Sequence, residues 1–161
     1  MSIAKLKSAI RKLEKLPIFI EVQADNVISK EKADLIGANK EQLNEQGKGS
    51  DDKSLVYLKP RSGKLNSSGA YTDRYDKFKS KKGKQTDHVD LRLSGKFQRG
   101  ITLVKFDRNH WVYVGNDDKT LILEANYGDH ILGITEDNLQ IFSSAVMEPA
   151  LQNKVDNYLT R

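Results

Sequence analysis

The segment from Pro60 to Asp87 constrains this chain more than any other part of it. It interrupts a sequence of 161 residues with a stretch rich in Gly, Ser, Lys and Tyr and poor in aliphatic side chains. Ordering a backbone costs on the order of 1–2 kcal/mol per residue, and a segment with so little apolar surface to bury cannot offset that alone. Loops longer than about 15 residues inside a small domain are functional or unstructured. The sequence therefore predicts a single domain over residues 1–161, with a lysine-rich loop or arm at about 59–88 that becomes ordered against a partner.

Charge sharpens that expectation. From Lys59 to Lys84 there are nine cations, Lys59, Arg61, Lys64, Arg74, Lys77, Lys79, Lys81, Lys82 and Lys84, against two anions, Asp73 and Asp76, a balance of +7. From Asn116 to Asp156 eight anions stand against two cations, a balance of −6, so the formal net charge of +5 conceals a basic middle and an acidic later section. Such polarity suits head-to-tail stacking of copies or contact with a polyanion, although most charge runs are solvated faces. The nine cations are the candidate contacts to a neighbouring subunit or to DNA. Tyr71, Tyr75 and Phe78 lie among them and could stack on bases. Their spacing of i, i+4 and i+7 equally marks one face of a short helix packed on the core, with the lysines outward, and this is the preferred reading.

Elsewhere periodicity guides the reading. Ile3, Leu6, Ile10 and Leu13 predict an amphipathic helix that Pro17 either ends or restarts, with a mostly helical pattern continuing to the Gly37 region. The polar run NKEQLNEQGKGSDDKS reads as a loop marked by Gly47 and Gly49, and Leu55 to Leu58 as a short strand. Order returns at Val89, with His88 at the start of a strand. Two alternating runs, Ile101 to Phe106 and Trp111 to Gly115, flank the turn DRNH and predict a β-hairpin. KTLILEANYG reads as a helix stopped by Gly128, and Thr135 as the N-cap of a closing helix that Pro149 kinks or breaks near Glu148. The class is α+β: N-terminal helices, a small antiparallel β-sheet with a central hairpin, and a C-terminal helix.

Catalytic chemistry finds little support. With no cysteine there is no disulfide framework, thiol nucleophile or thiolate zinc site. Lysines run through the first twenty residues, which lack the apolar block of an export or membrane segment, so a soluble protein of a reducing compartment is expected. His88, His110 and His130 superficially suggest a metal nuclease, but their spacings match no ligand pattern, and each is better read as a surface or locally hydrogen-bonded histidine. Asp117 and Asp118 follow Gly115 as ordinary turn chemistry, and SGKFQRG lacks the strand, loop and helix of a phosphate-binding site. The expectation is no enzyme, no cofactor and no metal.

The order of several short patterns carries a resemblance. NKEQLNEQGKGSDDKSLVYLKP, then KSKKGK at Lys79 to Lys84, then VDLRLSGKF at Val89 to Phe97, then HILGITEDN before a final amphipathic helix resembles small virion proteins of tailed bacteriophages and prophages. VDLRLSGKF is similar to the segment that opens a strand in head-tail connector and tail-completion proteins, with variants from phages of Bacteroidetes and crAss-like phages the most similar. The resemblance covers roughly residues 33–161, with Ser94 where Thr is more frequent and without the usual H-x-x-G. It implies a non-catalytic neck subunit, assembled as a homo-oligomeric ring between portal and tail. Its partners would be its own copies, neighbouring portal, neck or tail proteins, and packaged DNA passing through the channel, with no membrane. Its place would be the virion, after assembly in the host cell cytoplasm. The alternative is a nucleic-acid-binding module that uses the basic 59–84 segment.

Overall fold

A computed structural model describes residues 3–58, 63–108 and 110–160, apart from the side chain of Lys5. Seven α-helices are assigned in it: α1 (Ile3–Lys30), α2 (Lys32–Glu41), α3 (Asp73–Ser80), α4 (Lys96–Gly100), α5 (Thr120–Tyr127), α6 (Glu136–Phe142) and α7 (Glu148–Thr160). Two strands, β1 (Ile101–Lys105) and β2 (Trp111–Gly115), complete the order. This is the α+β class that the sequence predicts. The chain divides into two compact units, one made of Met1–Ala33 with Leu139–Arg161 and the other of Asp34–Asn138.

In the first unit, α1 runs through Pro17 without the expected break. A proline inside a helix removes one hydrogen bond and costs about 3 kcal/mol. Packing on either side of it opposes that cost: the Phe19 ring stacks on Tyr158 of α7 with centroids 4.3 Å apart, and the Tyr158 hydroxyl donates to the Lys12 carbonyl at 3.4 Å. Pro149 lies in the first turn of α7, and the helical path runs into it from α6. Residues Ser143–Met147 form a π-helical turn in which the Glu148 N–H reaches the Ser143 carbonyl, five residues back.

The second unit holds the hairpin in the expected place, with Ile101 opposite Gly115, Leu103 opposite Tyr113 and Lys105 opposite Trp111. Alternation puts Ile101 and Leu103 inside and leaves Val104 exposed. α5 ends at Gly128 as predicted, and Thr135 caps α6 by accepting the Asn138 N–H at 3.3 Å. Leu43, Leu55, Tyr71, Val89, Phe97, Ile101, Tyr127 and Ile131 form the core.

Several expectations fail here. The polar run after residue 38 is not a loop: α2 and a π-helical turn (Gln42–Gln46) carry it to Gly47, whose φ of +61° ends the helix. Its polar side chains are used inward. The Asn39 amide donates to the Gly133 carbonyl at 2.5 Å, and Gln42 Oε1 accepts the Thr135 N–H at 2.8 Å. Leu55 to Leu58 and the Val89 region form no strand. Leu55 and Val89 are core residues on irregular backbone, held in the case of Leu55 by its N–H on the Gly47 carbonyl at 2.7 Å.

In the 59–88 segment the short helix that the aromatic spacing predicts is present. Of its described residues, 73–80 form α3, and Leu65 and Thr72 make an isolated antiparallel bridge. Asn66 fastens the turn between them: its amide donates to Asp76 Oδ1 at 2.8 Å and to the Thr86 carbonyl at 3.0 Å, while its own carbonyl oxygen accepts the Tyr71 N–H at 3.2 Å. Polar contacts within the chain supply the order that apolar content could not.

Candidate functional site

α3 gathers the aromatic and basic residues of the middle segment. Thr72 precedes it in extended conformation, Asp73 and Asp76 occupy its first turn and Lys77 and Lys79 its last, so each charge sits at the favourable end of the helix dipole. The Asn66 amide, followed by the Thr86 hydroxyl, holds the Asp76 carboxyl below the usual carboxylate range. The face that carries Tyr71, Tyr75 and Phe78 also carries Lys79, eight residues after Tyr71.

Lys79 overturns the expectation that the lysines point outward. It is 1% exposed, and its Nζ donates to Asp90 Oδ1 at 2.7 Å and to the Tyr71 hydroxyl at 2.9 Å, while standing 4.3 Å from the centre of the Tyr71 ring. The Tyr71 hydroxyl in turn donates to Asp90 Oδ1 and accepts the Asp90 N–H, both at 3.1 Å. Burial pushes the Tyr71 phenol well above its ordinary range, so it stays neutral within the network. Asp90 Oδ1 also accepts the Arg92 N–H at 2.9 Å, spanning Leu91, whose φ of +53° is unusual for a residue with a branched side chain. Beneath, the Gln98 amide donates to the Asp90 carbonyl at 2.9 Å and to Asn44 Oδ1 at 2.6 Å. A buried ion pair is tolerated when its lone pairs and protons are satisfied this fully.

A cleft of ≈ 820 Å³ opens over the Lys79–Asp90 pair. Tyr57 and Tyr127, packed edge to face with centroids 5.4 Å apart, line it together with Tyr75, Phe97, Arg92 and Lys96. Asp117 and Asp118 also line it, and Asp117 Oδ1 accepts the Lys119 N–H at 2.8 Å as turn chemistry requires. The arrangement offers aromatic faces and charges of both signs over a closed ionic floor. That suits binding, since the ammonium and carboxylate beneath already hold each other.

The nine predicted contact cations do not form one set. Lys59 and Arg61 lie outside the described residues. Lys64, Arg74, Lys77, Lys81 and Lys82 are exposed, Lys84 is half-buried, and Lys79 belongs to the floor of the cleft. Nor does the core take up the whole aromatic face: Tyr71 is buried, but Tyr75 is 36% and Phe78 45% exposed, with Lys82 Nζ 5.2 Å from the centre of the Phe78 ring. Sequence reasoning missed Asp90, Gln98 and the cleft itself. The eight-residue step from Tyr71 to Lys79, two helical turns or so, was the available signal.

The histidines stay apart. His88 Nε2 lies 2.8 Å from the Asn44 carbonyl, on irregular backbone where a strand start was expected. His110 Nδ1 lies 2.6 Å from Asp107 Oδ1 at the hairpin turn, and the His130 ring packs against Gly49 and Gly128 so closely that a Cβ on either would collide with it. Among the described residues no group of three His, Asp or Glu could hold a metal ion, and no helix is long and apolar enough to cross a membrane. No protein-family model, curated protein or solved structure matches the chain.

Proposed function

We propose that this chain is a non-enzymatic structural subunit of a tailed-bacteriophage or prophage virion, a ring-forming head-tail connector or tail-completion protein set between portal and tail. The observation that carries the reading is the separation of exposed charge within residues 34–138. Arg74, Lys77, Lys81 and Lys82 are exposed on and just after α3, whereas Asp129, Glu136 and Asp137 are exposed after α5 and at the start of α6. A ring needs two different, complementary surfaces on every subunit, and opposite charge on two separate elements supports such a head-to-tail contact. The order of motifs from KSKKGK to HILGITEDN supports the same class. On this reading the partners are further copies of the chain and the adjoining portal, neck or tail proteins, with DNA passing through the channel, in virions assembled in the host cytoplasm. Light scattering and electron microscopy of the purified protein with its neck partners test it. Rings are expected, and a persistent monomer that never enters virions overturns it.

One observation favours a second reading, a nucleic-acid-binding module. Tyr75 and Phe78 stay partly exposed among four exposed cations, the combination that stacks bases and neutralises phosphates. Filter binding across a salt series separates the two. If the module binds nucleic acid, affinity falls steeply with salt, and a triple change of Lys77, Lys81 and Lys82 to Ala lowers the slope by roughly 2–3, near one for each phosphate that is no longer neutralised. Undetectable binding at low salt removes this reading.

A further inference from the structure

We infer that the first turns of α1 are a self-complementary seam that pairs with the same seam of a second copy of this chain, parallel and in register. Ile3, Leu6, Ile10 and Leu13 follow alternating steps of three and four residues, which places them at the a and d positions of two successive heptads. They are 75%, 46%, 47% and 57% exposed. Every residue from Ile3 to Arg11 whose side chain is described is exposed, and the contacts that bind α1 to α7 described above lie beyond this stretch, at Lys12 and Phe19.

The chemistry of the seam selects its occupant. Ile at both a positions with Leu at both d positions is the combination that favours two parallel strands. Ala9 at g brings no charge to face Glu14 at e of a partner helix, so in-register pairing sets no like charges together. Arg11 and Lys15 fall at b and f, away from the seam and free to remain hydrated. A second copy presents the same row of knobs and holes in the same register.

This pairing does not depend on the ring reading, and salt distinguishes them. Charge contacts between α3 and the acidic surface weaken as salt screens them, whereas an apolar seam does not. Sedimentation equilibrium of the full chain at low salt and at about 0.5 M salt is the experiment. Reversible association that persists in the higher salt is expected. Ile10→Lys, at an exposed position and with its helicity checked by circular dichroism, weakens it about tenfold or more, while Ser8→Lys at the opposite f position leaves it unchanged. A covalent test uses the absence of native cysteine: Leu6→Cys forms a disulfide-linked dimer under mild oxidation and Ser8→Cys does not.

Four results overturn the inference. They are a monomer at every concentration with no Leu6→Cys cross-link, unchanged association in Ile10→Lys, and association that disappears in salt, which leaves the ring reading standing without the seam. The fourth is an Ile10→Lys variant that self-associates normally but no longer binds vesicles of phosphatidylglycerol, which would make the stripe a membrane face. Failure to form rings alongside a persistent Leu6→Cys cross-link counts against the ring reading alone.

Discussion

A lysine ammonium inside a protein is sustained by the groups that meet it, and around Lys79 they are a carboxylate, a phenol and an aromatic face. Removing one side of such a pair strands the other charge without water. Lys79→Met should therefore lower stability by about 3–5 kcal/mol, because Asp90 remains buried and unpaired. The double variant Lys79→Met with Asp90→Asn should lose less than the single one, since Asn keeps an oxygen for the Arg92 N–H and leaves no charge behind. Urea unfolding of both variants checks the order, and a double variant that is the weaker of the two would refute it. Residue by residue, what the sequence made legible follows locality. Gly128 and Thr135 could be read because a helix stop and a cap involve neighbours within a few positions. Lys79 was misjudged because its partner Asp90 belongs to a different, irregular segment and no period links them.

Among the elements, the hairpin was legible because alternation and turn composition sit in one short window. α1 was legible as a helix but not in its length. Pro17 carries a strong local preference, and the stacking of Phe19 on Tyr158 that opposes it comes from more than a hundred residues away. Pro17→Ala should restore the missing N–H to the ladder and raise the stability of the helical unit by up to about 3 kcal/mol, read as a higher midpoint in thermal circular dichroism. An unchanged midpoint would mean that α1 has already relaxed around the ring. α3 was anticipated from the spacing of its aromatics, against the competing expectation of a loop. Its low apolar content misled, because Asn66 and the Lys79–Asp90 pair stabilise the segment with hydrogen bonds and charge.

On the scale of the whole molecule, two buried phenols set a limit on the alkaline side. Burial raises the Tyr71 and Tyr113 hydroxyls above their ordinary range, and Tyr113 donates to the Leu35 carbonyl at 2.9 Å. Unfolded phenols lose their protons near pH 10 while these two retain theirs, so the native state holds more protons and stability falls as pH climbs past about 10. Tyr113→Phe should cost about 1 kcal/mol at neutral pH through the lost hydrogen bond, yet show a shallower decline above pH 10. Chemical denaturation at a series of pH values measures both, and an equal alkaline slope in the variant would contradict the assignment.

The bond between Gln42 and the Thr135 N–H joins positions 93 residues apart. Closing a loop of that length costs roughly 4 kcal/mol of chain entropy before any contact repays it. Once closed, it brings the two ends of residues 34–138 together and shortens the effective tether between α1 and α7. The helical unit is built from the segments on either side of residues 34–138, so the distance its two parts have to close depends on how the inserted unit holds its ends. Loosening the Gln42–Thr135 bond therefore lengthens the tether across which α1 and α7 have to meet.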